Sequence, residues 1–539
     1  MKRISTWLAV VGLLIYTIGG FGCTALSTES DANEAAKSST APYAASDANV
    51  SAAETRSADD GLRVSGDKYE APDENPFFEV SQAPLSTFSI DVDTASYSNI
   101  RRMIREGSRP PVASVRIEEM VNYFGYDYPQ PIGDIPFSVN TEVATAPWKP
   151  EHKLVRIGLQ GKKISMDNAK PSNLVFLLDV SGSMASPDKL PLLQRGLEML
   201  VDQLTPKDKI AIVTYAGASG LALESTSIQN KQKILEALNS LESGGSTNGG
   251  EGIRLAYKVA RENFIEGGNN RVILATDGDF NVGESTDEAL VGLIEEERKS
   301  NVFLSVLGFG RGNLNDSMME KLSNKGNGNY AYIDGFDEAK KALGEQVSGT
   351  IQTIAKDVKI QVEFNPNKVA GYRLIGYENR MLEARDFNDD RKDAGEIGAG
   401  MSVTAIYEVV PKGVKVPASD IDGLKYSTTE KPDAKFADEL MTVKLRYKEP
   451  DGTKSKLINQ GVLDSTAAFA SASEDFRFAV SVAEFGLLLK NSKYKAGSSF
   501  AQVSEIAGSA KGSDLNGYRA EFLGLVKKAE GLRASSSVD

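Results

Sequence analysis

The stretch Leu174 to Met184 constrains this chain more than any other, because Leu-Val-Phe-Leu-Leu runs straight into Asp-Val-Ser-Gly-Ser-Met. Five consecutive apolar residues, Leu174 to Leu178, fit a central strand of a parallel sheet covered on both faces. The residues that follow leave the core at the strand's carboxyl edge, where open α/β sheets bind their ligands. Asp179, Ser181 and Ser183 offer only oxygen donors, a set that suits a hard cation such as Mg²⁺ or Ca²⁺ better than zinc or copper. Taken by itself, Asp-x-Ser-x-Ser is equally compatible with an ordinary polar turn between strand and helix.

The chain downstream alternates in period. Leu193, Leu197, Leu200, Val201 and Leu204 recur at helical spacing over 190–204. Strands follow at 209–215, 221–224, 271–276, 302–309 and 330–333, separated by helices at 231–241, from 249 through 264, 287–299, 315–324 and 337–354. Such alternation implies a doubly wound sheet with right-handed crossovers. The loop Gly245-Ser246-Thr247-Asn248-Gly249-Gly250 and the strand end Thr276-Asp277-Gly278 supply further oxygen donors at the same edge.

Together, Asp179-Val180-Ser181-Gly182-Ser183, Thr247 in its glycine loop and Asp277 after its strand resemble the three parts of a von Willebrand factor type A domain, over about 170–354. The resemblance implies a metal-ion-dependent adhesion site. Ser181, Ser183 and Thr247 would bind a divalent cation through hydroxyls, and Asp179 and Asp277 directly or through water. Mg²⁺ is the foremost expectation, with Ca²⁺ or Mn²⁺ compatible. Two carboxylates roughly neutralise such a cation, and neutral hydroxyls leave it able to accept an acidic oxygen. The implied function is adhesion or scaffolding through a protein partner that presents Asp or Glu. The whole chain also resembles bacterial lipoproteins in which Ser-Ile-Asp-Val-Asp-Thr-Ala-Ser-Tyr, here 89–97, and Arg-Ile-Glu-Glu-Met, here 116–120, precede the von Willebrand domain and a C-terminal domain of unknown function follows it.

Composition narrows the alternatives. A net charge of −13 argues against nucleic acid. With one histidine, His152, and one cysteine, Cys23, no Ser/His/Asp, Cys/His or zinc-finger site can be built. His152, in Trp-Lys-Pro-Glu-His-Lys, reads as solvated. Gly308-Phe309-Gly310-Arg311-Gly312 ends a late strand and misplaces the third glycine of a dinucleotide loop, so no small-molecule cofactor is expected. The enzyme alternative rests on Asp91-x-Asp93-x, which resembles the nucleophile signature of haloacid-dehalogenase-like phosphatases. That fold would need a downstream lysine and paired acids after further strands, whereas two short helices follow here. The simpler expectation is that Asp93 and Thr94 cap the helix beginning at Ser96, and that the protein is not an enzyme.

The N-terminus has a basic Lys2-Arg3, an apolar run from Trp7 to Ile18, and Gly22-Cys23. This reads as a signal peptide over 1–22 ending in a lipobox-like site that lipidates Cys23. The protein would then be tethered to a membrane of the bacterial cell envelope through 23–70, a flexible stretch rich in Ala, Ser, Asp and Thr. The remaining expectations are a helical segment at 71–130, two strands within 131–165 that pair with the C-terminal region, a β-sandwich at 355–470 and C-terminal helices at 471–535. The acidic loop 386–390 does not fit an EF-hand and reads as solvated. The fold class is thus α/β, a doubly wound, Rossmann-like domain inserted in or flanked by a β-sandwich.

Overall fold

The structure, a computed structural model, describes residues 66–70, 72–216, 219–245, 249–278, 287–417 and 434–535. Cys23, the signal peptide, most of the tether and Thr247 lie outside them. A six-stranded sheet orders its strands Tyr330–Ile333, Phe303–Phe309, Asn269–Thr276, Ser172–Asp179, Lys209–Tyr215 and Ser219–Ser227. Neighbours are parallel except the last pair, an antiparallel edge. Every residue of Ser172–Asp179 is buried. Leu174, Phe176 and Leu178 pack beneath the helix Leu190–Gln203, while Val175 and Leu177 face Ile253, Ala256 and Tyr257 of the helix Gly249–Glu262. Both faces are therefore covered, which is why the strand carries an unbroken apolar run.

Two antiparallel sheets form a sandwich beside this domain. One orders Phe78–Glu79, Val369–Ile375, Ser402–Pro411, Lys149–Gly161 and Phe137–Ala146. The other orders Met381–Leu382, Leu85–Ser89, Thr353–Phe364, Glu439–Lys448 and Lys456–Leu463, with Gly395–Gly398 also paired to Thr353–Phe364. Lys149–Gly161, which enters the parallel domain, lies against Ser402–Pro411, with Leu159 opposite Val403 and Val155 opposite Tyr407. Val155, Ile157, Leu159, Ile360, Val362, Val443 and Leu445 belong to the core between the sheets. A third core joins the helices Ala95–Arg105 and Ile117–Asn122 to the C-terminal helices Glu474–Leu489, Phe500–Ser509 and Tyr518–Ser535.

Several expectations are corrected. The segment 71–130 is not helical throughout, since Phe78–Glu79 and Leu85–Ser89 each join a sandwich sheet, with Phe88 opposite Ile360. The helix expected over 337–354 is three short pieces, Phe336–Lys340, a π-turn at Lys341–Glu345 and Val347–Ile351, after which a strand begins at Thr353. The β-branched residues Thr350, Ile351, Thr353 and Ile354 favour that extended exit. At Gly349 the backbone passes so close to Gly398 that a Cβ on Gly398 would meet the Gly349 carbonyl at 1.9 Å.

His152 is 1% exposed rather than solvated, with Nδ1 2.6 Å from Glu408 Oε1. Its polar neighbours concealed the fact that strand pairing brings Glu408 alongside. Burial works against the Glu408 charge, yet the bonds from His152 and Arg373 hold its carboxyl below the usual range. Asp93 and Thr94 make no side-chain cap. The Ser96 amide donates instead to Glu119 Oε2 at 2.7 Å, and Asp93 accepts from the Tyr330 amide at 2.6 Å. Arg380 lies 3.0 Å from Asp91 and 3.2 Å from Asp93, so the pair serves as a buried tie between segments, and nothing supports the phosphatase alternative.

Candidate metal site

Asp179 is the last residue of the central strand, and its carboxylate is fully buried. The Ser181 amide donates to its Oδ1 at 2.9 Å, a local turn in which an aspartate bonds the backbone two residues on. The Thr276 hydroxyl donates to Oδ2 at 3.2 Å from the neighbouring parallel strand. A single 3₁₀ turn, Gly182–Ala185, then sets the Ser181 and Ser183 hydroxyls 2.9 Å apart. The loop that carries Thr247 is fastened here by two backbone bonds, Gly182 N–H to the Gly245 carbonyl at 3.1 Å and Gly244 N–H to the Val180 carbonyl at 2.7 Å. Thr247 itself lies outside the described residues.

Asp277 follows the strand Asn269–Thr276, which is in register with Ser172–Asp179 so that Leu178 faces Ala275. It too is fully buried. The turn after it needs glycine, because Gly278 has φ +89° and a Cβ there would lie 2.5 Å from the Asn315 amide nitrogen. The Lys189 ammonium donates to Asp277 Oδ2 at 2.9 Å and approaches Asn313 Oδ1 at 3.5 Å.

The two carboxylates differ electrostatically. Burial pushes Asp179 up to about 6, against the bonds from Ser181 and with a further push from the Asp277 charge. Burial acts the same way on Asp277, but hydrogen bonds from Lys189 and Ser183, with the Lys189 charge, bring it below the ordinary value. The structure thus brings together Asp179, Ser181, Ser183 and Asp277 from two adjacent strands, an all-oxygen set whose chemistry fits a hard divalent cation. Sequence reasoning missed Lys189 and Asn313, and it gave Thr276 no role in orienting Asp179. Lys189 stands ten residues after Asp179, and only the fold shows which of many lysines turns inward. A separate acidic group, Asp357, Asp393 and Glu396, has carboxylate oxygens within 4.8 Å of one another. Two of its members already hold cationic side chains, Lys448 on Asp357 at 2.7 Å and Arg298 on Asp393 at 2.5 Å.

Family models match along three stretches. Residues 63–156 match the model described as von Willebrand factor, 173–345 the von Willebrand factor type A domain, and 349–532 the C-terminal domain of the uncharacterized protein YfbK. The uncharacterized protein YfbK of Escherichia coli (strain K12) is 44% identical over 479 residues, which are 86% of this chain and 81% of that protein. Inter-alpha-trypsin inhibitor heavy chain H3 of Homo sapiens is 30% identical over 273 residues, 47% of this chain but only 30% of the longer protein. Among solved structures, a von Willebrand factor type A protein from Catenulispora acidiphila aligns at 15% identity with a TM-score of 0.41, covering 72% of this chain and 90% of that one.

Proposed function

This chain belongs to the family of the Escherichia coli protein YfbK, and from that premise we propose that its von Willebrand factor type A domain captures a protein partner through a divalent cation, Mg²⁺ foremost. Asp179, Ser181, Ser183, Thr247 and Asp277 would hold the cation. The observation that carries this reading is the meeting of Asp179, Ser181, Ser183 and Asp277 at the carboxyl edge of two adjacent parallel strands. The assignment of Thr247 rests on the order of the motif and on the bonds that fasten its loop to Val180 and Gly182.

When bound, the cation supplies an open coordination position to an acidic oxygen of the partner. The protein's part is preparation. The Ser181 amide and the Thr276 hydroxyl fix the orientation of Asp179, and the Ser181 and Ser183 hydroxyls add neutral donors without cancelling more charge. The reading is of an interaction protein rather than an enzyme. Residues 1–22 would be a signal peptide, Cys23 a lipid attachment site and the following stretch to 70 a tether, placing the domain at the cell envelope. Among the described residues no helix is long and apolar enough to cross a membrane.

Affinity capture from a solubilised envelope fraction tests the proposal. The full chain should retain an acidic partner in millimolar Mg²⁺ and release it on chelation. A complex that survives excess chelator would refute capture through a cation.

A further inference from the structure

We propose that Lys189 is a positioning residue of the cation site: bonded to Asp277, it withholds part of that carboxylate's charge, so that the cation binds more weakly but retains more attraction for an acidic partner. This rests on the metal reading above and concerns a residue that the motif does not include.

Three observations support it. The ammonium is held where it is, since Lys189 is 8% exposed and its Nζ donates to Asp277 Oδ2 at 2.9 Å. Its backbone is anchored at the head of the helix Leu190–Gln203, its amide donating to the Ser186 carbonyl and its carbonyl accepting from the Leu193 amide at 2.8 Å. The side chain also has a lane made for it. A Cβ on Gly310 would lie 2.0 Å from Lys189 Cε and 2.9 Å from both Cγ and Cδ. Gly310, with φ +72°, directly follows the strand Phe303–Phe309 and so clears the path of the lysine stem. That gives a physical role to a glycine that resembled only a fragment of a dinucleotide loop.

The electrostatic consequence follows from counting charges. Asp179 and Asp277 alone would offer a divalent cation two negative charges and leave it neutral. With the Lys189 ammonium in the same buried cluster, the protein offers a net single negative charge, and one positive charge remains for the partner's carboxylate. A buried ammonium is expensive to keep without a partner. A lysine serving only as the structural counter-ion of Asp277 would orient that carboxylate, and its removal would leave cation binding unchanged or weaker. The charge-withholding role predicts the opposite sign.

Calorimetric titration of the full chain with MgCl₂ separates the two. Lys189→Met keeps the stem beside Gly310 and removes the charge, and it should tighten Mg²⁺ binding on the order of tenfold. Lys189→Arg should stay near the native affinity. Lys189→Gln, neutral but still able to donate to Asp277, should also tighten binding and serves as the second variant if thermal melting shows that Lys189→Met has lost its fold. Native chain that binds Mg²⁺, with folded neutral variants that bind it no more tightly, would overturn this inference and leave the metal reading standing. Native chain and neutral variants that all fail to bind Mg²⁺ would overturn both.

Discussion

At the scale of single residues, buried ionisable groups decide how this protein responds to pH. Glu484 is wholly buried in the helix Glu474–Leu489. Burial pushes its carboxyl up to about 7, with the nearby Ser498 hydroxyl and Ser499 amide offsetting only part of the effect. The folded state therefore binds a proton that the unfolded chain gives up near its ordinary value of 4.5. The stability from this group is complete below that value and is lost as pH rises through about 7. Glu484→Gln should remove the loss, leaving stability near pH 5 little changed and raising it by on the order of 3 kcal/mol at pH 8. Thermal melts of the two proteins from pH 5 to 8 check this, and parallel curves would contradict it. His152 could not be placed from sequence, because a polar residue among polar neighbours looks solvated until strand packing buries it. Asp179, Ser181, Ser183 and Asp277 could be brought together in advance because each follows directly from a strand end. Lys189 could not, since its direction depends on a glycine in a different loop.

At the scale of elements, strands and helices of the parallel domain were legible where periodicity was strong, as in Leu190–Gln203 and Tyr330–Ile333. Elements at the margins were not. Lys456–Leu463 is an edge strand whose Leu457 and Leu463 are 49% and 67% exposed, so it lacks the apolar alternation that marks a half-buried strand. Within the C-terminal helical stretch, Phe500–Ser509 is a separate short helix, and the last helix starts at Tyr518, beyond Leu515, which is 93% exposed. The ties between elements are likewise hidden in sequence. Arg116, at the head of the helix Ile117–Asn122, reaches Asp316 at 2.6 Å on the helix Asp316–Lys325 and also pairs with Glu119. All three are buried. Arg116→Ala leaves two buried carboxylates without their cation and should cost about 3–5 kcal/mol, read as a lowered melting temperature. An unchanged melting temperature would show that the tie contributes nothing.

At the scale of the whole molecule, one topological fact organises the chain. The strands that precede the parallel domain pair with strands that follow it, as with Arg156 opposite Ile406. The parallel domain is therefore carried on a sandwich assembled from both sides of the sequence, and further ties such as Asp93 to Tyr330 run between segments. Strand counting makes this arrangement readable in outline, because a six-stranded doubly wound sheet has no covered face left for two more alternating strands. The ion pairs that fix it, between residues some 200 positions apart, leave no pattern in sequence. The result is an α/β domain whose oxygen-rich strand edge carries the proposed cation site. Calorimetric titration of the full chain with Mg²⁺, alongside Asp179→Ala, tests that site most directly. The account predicts saturable binding by the native protein and none by a variant that still melts cooperatively. Equal binding by both, or none by the native chain, would contradict it.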